Sequence, residues 1–221
     1  MRLVDDETPF GPWQPVGLTE LTQQLLRAGQ RRPGPVLVAV DGRGGSGKST
    51  LASALADVVP GATVVHSDDV AWHEPLFGWG HLLDQHILTP LAAGLSVSFQ
   101  PPAWPEHGRE GRIEVAADCP LVLVEGTGAA AGEVERHYAA TVWVQSDFDE
   151  AERRGLARDV AEGLNGDEAE TLAFWHYWMD AELAHFRTDR PWERAGLVVC
   201  GTPVEPVAAG TLLLSRRTPL A

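Results

Sequence analysis

The most regular feature of the chain is a series of short apolar runs. Val36-Leu37-Val38-Ala39-Val40 sits between Pro35 and Asp41-Gly42, and Ala62 to His66, Leu121 to Val124, Thr141 to Val144 and Leu197 to Cys200 repeat the pattern. Continuous apolar runs of this length predict strands buried on both faces. Between them the spacing becomes helical. Leu18, Leu21, Leu25 and Leu26 mark a leading helix that Arg31-Arg32-Pro33-Gly34-Pro35 stops, and another helix starts near Lys48. Gly80 to Ala93 can form a helix, Ser96 to Phe99 alternates like a half-exposed strand, and 101–118 reads as polar loop. Two charge-rich helices, over 147–161 and 167–186, are joined by Glu162-Gly163-Leu164-Asn165-Gly166.

Strands alternating with helices imply right-handed crossovers, hence an α/β protein of three layers around a mostly parallel, five-stranded sheet. Ligands then sit beyond the carboxyl ends of the strands. Residues 1–34 read as an N-terminal helical extension, 35–205 as the main domain with a lid around 150–170, and 206–221 as a tail. A chain of 221 residues with 44% apolar content suits that single core.

Charge narrows the partners. Against 17 basic residues stand 31 acidic ones, a formal charge of -14, so the surface repels nucleic-acid backbones and anionic membranes. Cys119 and Cys200 have no metal-ligand spacing and make no disulfide framework, which suits a reduced cytoplasm. The acidic start, with Asp5, Asp6 and Glu7, resembles neither a signal peptide nor an anchor. A homo-oligomer is left open, since no heptad or seam can be read.

The chemistry concentrates at three strand ends. Gly42-Arg43-Gly44-Gly45-Ser46-Gly47-Lys48-Ser49 fits the Walker A pattern between a strand and a helix. Its glycines let backbone N–H groups turn toward phosphate oxygens, and the helix adds its positive N-terminal end. Lys48 would bridge β- and γ-phosphates, and the Ser49 hydroxyl would ligate Mg2+. Glu125 closes the run Leu121 to Val124, the position of a Walker B acid that holds the same metal directly or through water. After the second strand come Asp68 and Asp69. Transfer to an alcohol needs an acid that takes the hydroxyl proton, and strand alternation favours Asp68 over Asp69 without excluding the latter.

With these residues in place, the chain resembles the uridine kinase family within the P-loop kinases, which also takes in nicotinamide riboside kinase, phosphoribulokinase and bacterial pantothenate kinase. The matching features are Val38 to Thr50, Ser67-Asp68-Asp69, Val124-Glu125-Gly126 and Arg154 to Asp159. The resemblance implies a P-loop NTPase fold with an arginine-bearing helical lid, ATP and Mg2+ as cofactors, Thr50 beside the P-loop, Asp68 as proton acceptor and Glu125 at the metal. It also implies that Arg154 and Arg158, which share a helical face, clamp the triphosphate; the family commonly has a further arginine where this chain has Gly155. Asp84 occupies the region where nucleoside kinases of this type bind ribose hydroxyls. Around it the sequence departs from the uridine kinase pattern toward Trp72, His73, Phe77, Trp79, His81 and Trp104, of which Trp72 and Trp104 would either wall a ring-bearing acceptor or pack the core.

An ATP-dependent kinase for a hydroxyl of a nucleoside-like or other uncharged small molecule is the expected activity. Sugar or antibiotic kinases stand as alternatives within the same chemistry. Residues 67–105 hold no Lys or Arg to grip a phosphorylated acceptor, unless Arg109 or Arg112 folds in. A nucleotide-hydrolysing switch is a different class of reading, but the chain lacks an Asn-Lys-x-Asp guanine motif and an Asp-Glu Walker B ending.

Overall fold

Alternate side chains of one strand divide between two cores, and the whole architecture follows from that division. Val36, Val38 and Val40 pack on one face of the central strand with Leu121 and Leu123 of its neighbour, while Leu37, Ala39, Val122 and Val124 pack on the other. A side-chain period of two makes this inevitable once both faces are covered. The computed structural model describes residues 1–4, 6–30, 33–163 and 165–216. Asp5, Arg31 and Arg32 of the predicted helix stop, Leu164 of the loop between the two late helices, and tail residues 217–221 lie outside the described residues.

In chain order the elements are β1 (Gln14–Gly17), α1 (Leu18–Gly29), β2 (Val36–Gly42), α2 (Lys48–Val58), β3 (Thr63–His66) and α3 (Ser67–Ala71). Then come α4 (Gly80–Leu83), a π-helical turn over Asp84–Leu88, α5 (Thr89–Ala92), β4 (Val97–Phe99), α6 (Ala103–Glu106), β5 (Ile113–Val115) and β6 (Leu121–Glu125). The chain continues through β7 (Ala140–Gln145), α7 (Phe148–Glu162), α8 (Glu168–Asp189), β8 (Leu197–Cys200) and β9 (Thr211–Arg216).

Among the described residues the main sheet has seven strands in the order β1-β9-β8-β7-β2-β6-β3. Five of them, β8-β7-β2-β6-β3, are parallel and correspond to the five apolar runs. The sequence missed β1 and β9, which add antiparallel at one edge. β1 is half-exposed with no apolar run, and the apolar stretch of β9, Leu212 to Leu214, is shorter than the runs that mark the buried strands. The segment 101–118, read as loop, contains α6 and β5, and β5 pairs with β4 in a small second sheet. The helix expected over 80–93 is present but widens at its middle, where the Thr89 N–H reaches back to the Asp84 carbonyl, immediately before Pro90.

α1 and α2 cover the face of Val36, Val38 and Val40. The opposite face is covered by residues 70–138, and over β7 and β8 by Phe186 of α8 with Trp192 and Val4. The carboxyl ends of β2, β3 and β6 therefore open on one edge of the sheet.

Candidate functional site

At that edge β2 passes into the P-loop. Gly45 and Gly47 hold positive φ, 74° and 98°, so that the chain can curl before α2 begins at Lys48. Gly45 is required twice over, because a Cβ there would stand 1.9 Å from the Ala151 carbonyl oxygen of α7. The late helix thus lies directly on the phosphate loop. Lys48 is almost wholly buried and its Nζ donates to the Arg43 carbonyl at 3.3 Å.

The end of β6 meets the start of α2. Glu125 accepts from the Ser49 hydroxyl at 3.1 Å through Oε2, and its Oε1 is 2.5 Å from His66 Nδ1 at the end of β3. Burial works to raise the Glu125 pKa, but the His66 bond and the Lys48 charge outweigh it and hold the carboxylate below its ordinary value. The same bond raises the His66 pKa. Two oxygens bound cis on an octahedral Mg2+ at about 2.1 Å lie about 3.0 Å apart. The Ser49–Glu125 separation of 3.1 Å and the all-oxygen donor pair fit that ion. Among the described residues no cluster of three His, Cys, Asp or Glu could hold a metal by itself, so the remaining ligands would be phosphate oxygens and water.

A cleft of about 640 Å³ runs from this point. Gly44, Lys48, Ser49, Thr127, Asp68 and Arg158 line it. Trp72, His73, Glu74, Leu76 and Trp79 line it as well, as do Phe174, Trp175, Tyr177 and Trp178 of α8, with Trp175 and Trp178 standing beside Gly44. Asp68 keeps contact with solvent in the cleft. The protein packed around it pushes its pKa above the ordinary aspartate value, Lys48 pulls it down, and the Glu125 charge pushes it up again.

Asp69 points elsewhere. Its carboxylate pairs with Arg109 at 2.5 Å, its carbonyl accepts from Trp104 Nε1 at 2.8 Å, and the Arg109 guanidinium lies 3.8 Å from the centre of the Trp104 ring. Of the residues 67–69, only Asp68 reaches the cleft. Trp104 is correspondingly a core residue, 4% exposed, while Trp72 is the one of the two predicted tryptophans that lines the cleft. Asp84 does not line it either. Arg136 at 2.5 Å, His137 at 2.6 Å and Thr89 at 3.1 Å hold its carboxylate. Burial would raise its pKa, but these partners leave it lowered.

The two arginines expected to clamp the triphosphate separate in the same way. Arg158 lines the cleft, paired with Asp159 at 2.7 Å, and its charge bears on Asp68. Arg154 instead bonds Glu150 at 2.7 Å and the Gly201 carbonyl at 3.0 Å, outside the cleft lining. Gly155 has a steric cause: a Cβ there would fall 2.0 Å from the Trp175 ring, which is packed against α7 and lies 3.3 Å from the Cβ position of Gly44. Thr50 is exposed on the first turn of α2 and Ser46 is buried beneath the loop; neither lines the cleft.

Beneath the loop lies a set of residues that sequence reasoning did not find. Glu182 of α8, 1% exposed, accepts the Gly44 N–H at 2.6 Å and stands 3.5 Å from the equally buried Arg43 guanidinium. Arg43 lies over the Phe148 ring at 3.7 Å, and its nitrogens have no hydrogen-bond acceptor among the described residues. Burial raises the Glu182 pKa against the opposing Arg43 charge. Thr127 donates to the Gly42 carbonyl at 3.0 Å. Asp41 accepts from the N–H groups of Gly42, Gly128 and Ala130 at 2.7, 3.0 and 2.9 Å, tying the end of β2 to the chain after β6, with its pKa raised by burial to about 6. Glu182 carries no local signal, because its role exists only once α8 crosses the P-loop.

No protein-family model matches the chain, and no curated protein does. Among solved structures, a Bacillus stearothermophilus protein described as a possible uridine kinase aligns with TM-score 0.51 and 17% identity over 80% of this chain and 96% of its own. A Silicibacter sp. TM1040 protein provisionally named a fructose transport system kinase gives TM-score 0.49 and 24% identity over 81% and 95%. The first likeness is one of fold: the chain has the three-layer P-loop fold expected from its sequence.

Proposed function

We propose that the protein is an ATP-dependent kinase that transfers the γ-phosphate to a hydroxyl of a small, non-phosphorylated molecule. The observation that carries this reading is convergence: Lys48 and Ser49, beside Glu125, share one cleft with Asp68, and that cleft continues past them into a wall of aromatic side chains. A nucleotide switch has no use for such a continuation, whereas a phosphoryl acceptor needs both the room and the base. The Bacillus stearothermophilus protein of similar fold is described as a possible uridine kinase, which agrees with it.

In the transfer, the acceptor oxygen bonds to the γ-phosphorus as the bond to the ADP oxygen breaks, and Asp68 takes the hydroxyl proton. Lys48 and Arg158 oppose charge on the phosphoryl oxygens. Ser49 and Glu125 would hold Mg2+, which when bound neutralises charge on the phosphates. Arg109 is committed to Asp69, and Arg112 to Ser98 at the Nε–Oγ distance of 2.7 Å, so neither supplies the cleft with a second phosphate grip. A cytoplasmic enzyme suits ATP chemistry, and no helix among the described residues is long and apolar enough to cross a membrane.

The test is magnesium-dependent ATP consumption across nucleosides, sugars, vitamins and amino alcohols, with products weighed by mass spectrometry. An acceptor gaining one phosphate, and loss of that activity in Lys48→Ala, are the expected results. ATP hydrolysis that no acceptor stimulates would move the reading to a switch.

A further inference from the structure

The cleft lining along residues 71–79 is unusual for its charge. Between Ala71 and Trp79 it contains one carboxylate, Glu74, and neither Lys nor Arg. Glu74 is half-buried, and its carboxylate has no hydrogen-bond or ion-pair partner among the described residues. The cations in the cleft, Lys48 and Arg158, belong to the P-loop and the lid, and Arg158 is already paired with Asp159. Arg109 approaches the Trp72 ring at 5.5 Å but is bound to Asp69 and does not line the cleft. His73 is stacked on His107 with centroids 3.6 Å apart.

Around Glu74 the walls are aromatic. Trp72, Trp79, Phe174, Tyr177 and Trp178 line the same cleft as Glu74. Phe174 and Tyr177 remain 44% and 62% exposed, large ring faces left open to solvent at the cleft. Ring faces carry negative potential and attract a cation, more strongly once water is displaced. A half-buried, unpaired carboxylate adds to that field and disfavours an anionic occupant.

On the kinase reading above, we propose that the acceptor is an amino alcohol, a hydroxyl-bearing molecule whose ammonium group is held by Glu74 and the aromatic walls while its hydroxyl faces Asp68. Glu74 is a specificity-determining residue in this arrangement, and the ammonium passes through the transfer unchanged. Phosphorylated sugars and carboxylate-bearing alcohols are disfavoured by the same groups.

A matched pair of soluble probes tests this without knowledge of the natural acceptor: 2-amino-1-phenylethanol and 1-phenyl-1,2-ethanediol, which differ in an ammonium for a hydroxyl. Binding is measured by calorimetry to the full chain with magnesium and a non-hydrolysable ATP analogue. The amine is expected to bind at least about tenfold tighter than the diol. Glu74→Gln is expected to erase that preference while leaving the diol and the ATP analogue bound as before. Equal binding of the two probes, binding of neither, or a preference that survives in Glu74→Gln overturns the proposal. The kinase reading fails separately: it falls if the analogue does not bind, or if Lys48→Ala binds it normally, whatever the probes do.

Discussion

The two ends of the cleft are built by different means. The phosphate end is made of backbone and buried charge: a loop curled by Gly45 and Gly47, a lysine at the first turn of α2, and Glu125 fixed by Ser49 and His66. The rest of the cleft, where the proposed acceptor would bind, is lined by two distant segments, 71–79 and 174–178, with several residues open to solvent. Phosphate chemistry is common to all nucleotides, so its cradle can be rigid and local; an acceptor must be chosen, and choice is made by side-chain shape and charge. α8 joins the two ends, because Trp175 and Trp178 face the cleft while Glu182 on the same helix holds the Gly44 amide.

The largest expected effect breaks the phosphate end at its base. Asp68→Asn should keep ATP-analogue affinity and lower turnover about 10²- to 10⁴-fold, whereas Asp69→Asn, which loses a pair with Arg109, should cost far less. Reversal of that order in steady-state assays would assign the proton to Asp69. The acid limb of wild-type turnover should also lie above the ordinary aspartate pKa of 3.8, since burial raises the Asp68 value and the base acts only when ionised. Activity is then lost as pH falls through that raised value, and a pH–rate profile reads it directly.

Next comes the connection between the ends. Glu182→Ala leaves the 2%-exposed Arg43 guanidinium without its partner and should cost about 3–5 kcal/mol in denaturant unfolding. Arg43→Met together with Glu182→Gln keeps an acceptor for the Gly44 N–H, removes both charges and should recover most of that loss. A double variant as unstable as the single one would show that the charge pair is not what couples α8 to the loop. The smallest effect sharpens the boundary of the acceptor end. Asp84→Ala should leave acceptor KM and kcat within about twofold, because Asp84 is spent on Arg136 and His137 outside the cleft. A large rise in KM would return Asp84 to the binding site that the family resemblance implies for it.

Much of this was legible without coordinates where the information is local. Each parallel strand announces itself as an apolar run, and the P-loop as a spacing of glycines followed by Lys48 and Ser49, because the backbone geometry it needs excludes other residues. Asp68 and Glu125 were legible as acids at strand ends that a parallel sheet must deliver to one edge. Strands β1 and β9 escaped, since β1 carries no apolar run and β9 only the three residues Leu212 to Leu214. Arg154 and Asp84 showed the right residue type in the right region, but other groups claim them: Glu150 one helical turn away and the distant Gly201 for one, Arg136 and His137 for the other.

By itself, then, the sequence determined the α/β layering, the P-loop and the acids that follow the strands, all of which rest on short spacings and strand periodicity. Only the tertiary structure decided which acid faces the cleft, that Trp175 displaces any side chain at position 155, and that Glu182 reaches Gly44 across 138 residues of chain. Contacts of that kind depend on how whole helices cross, and no local pattern of residues encodes where a helix crosses a loop.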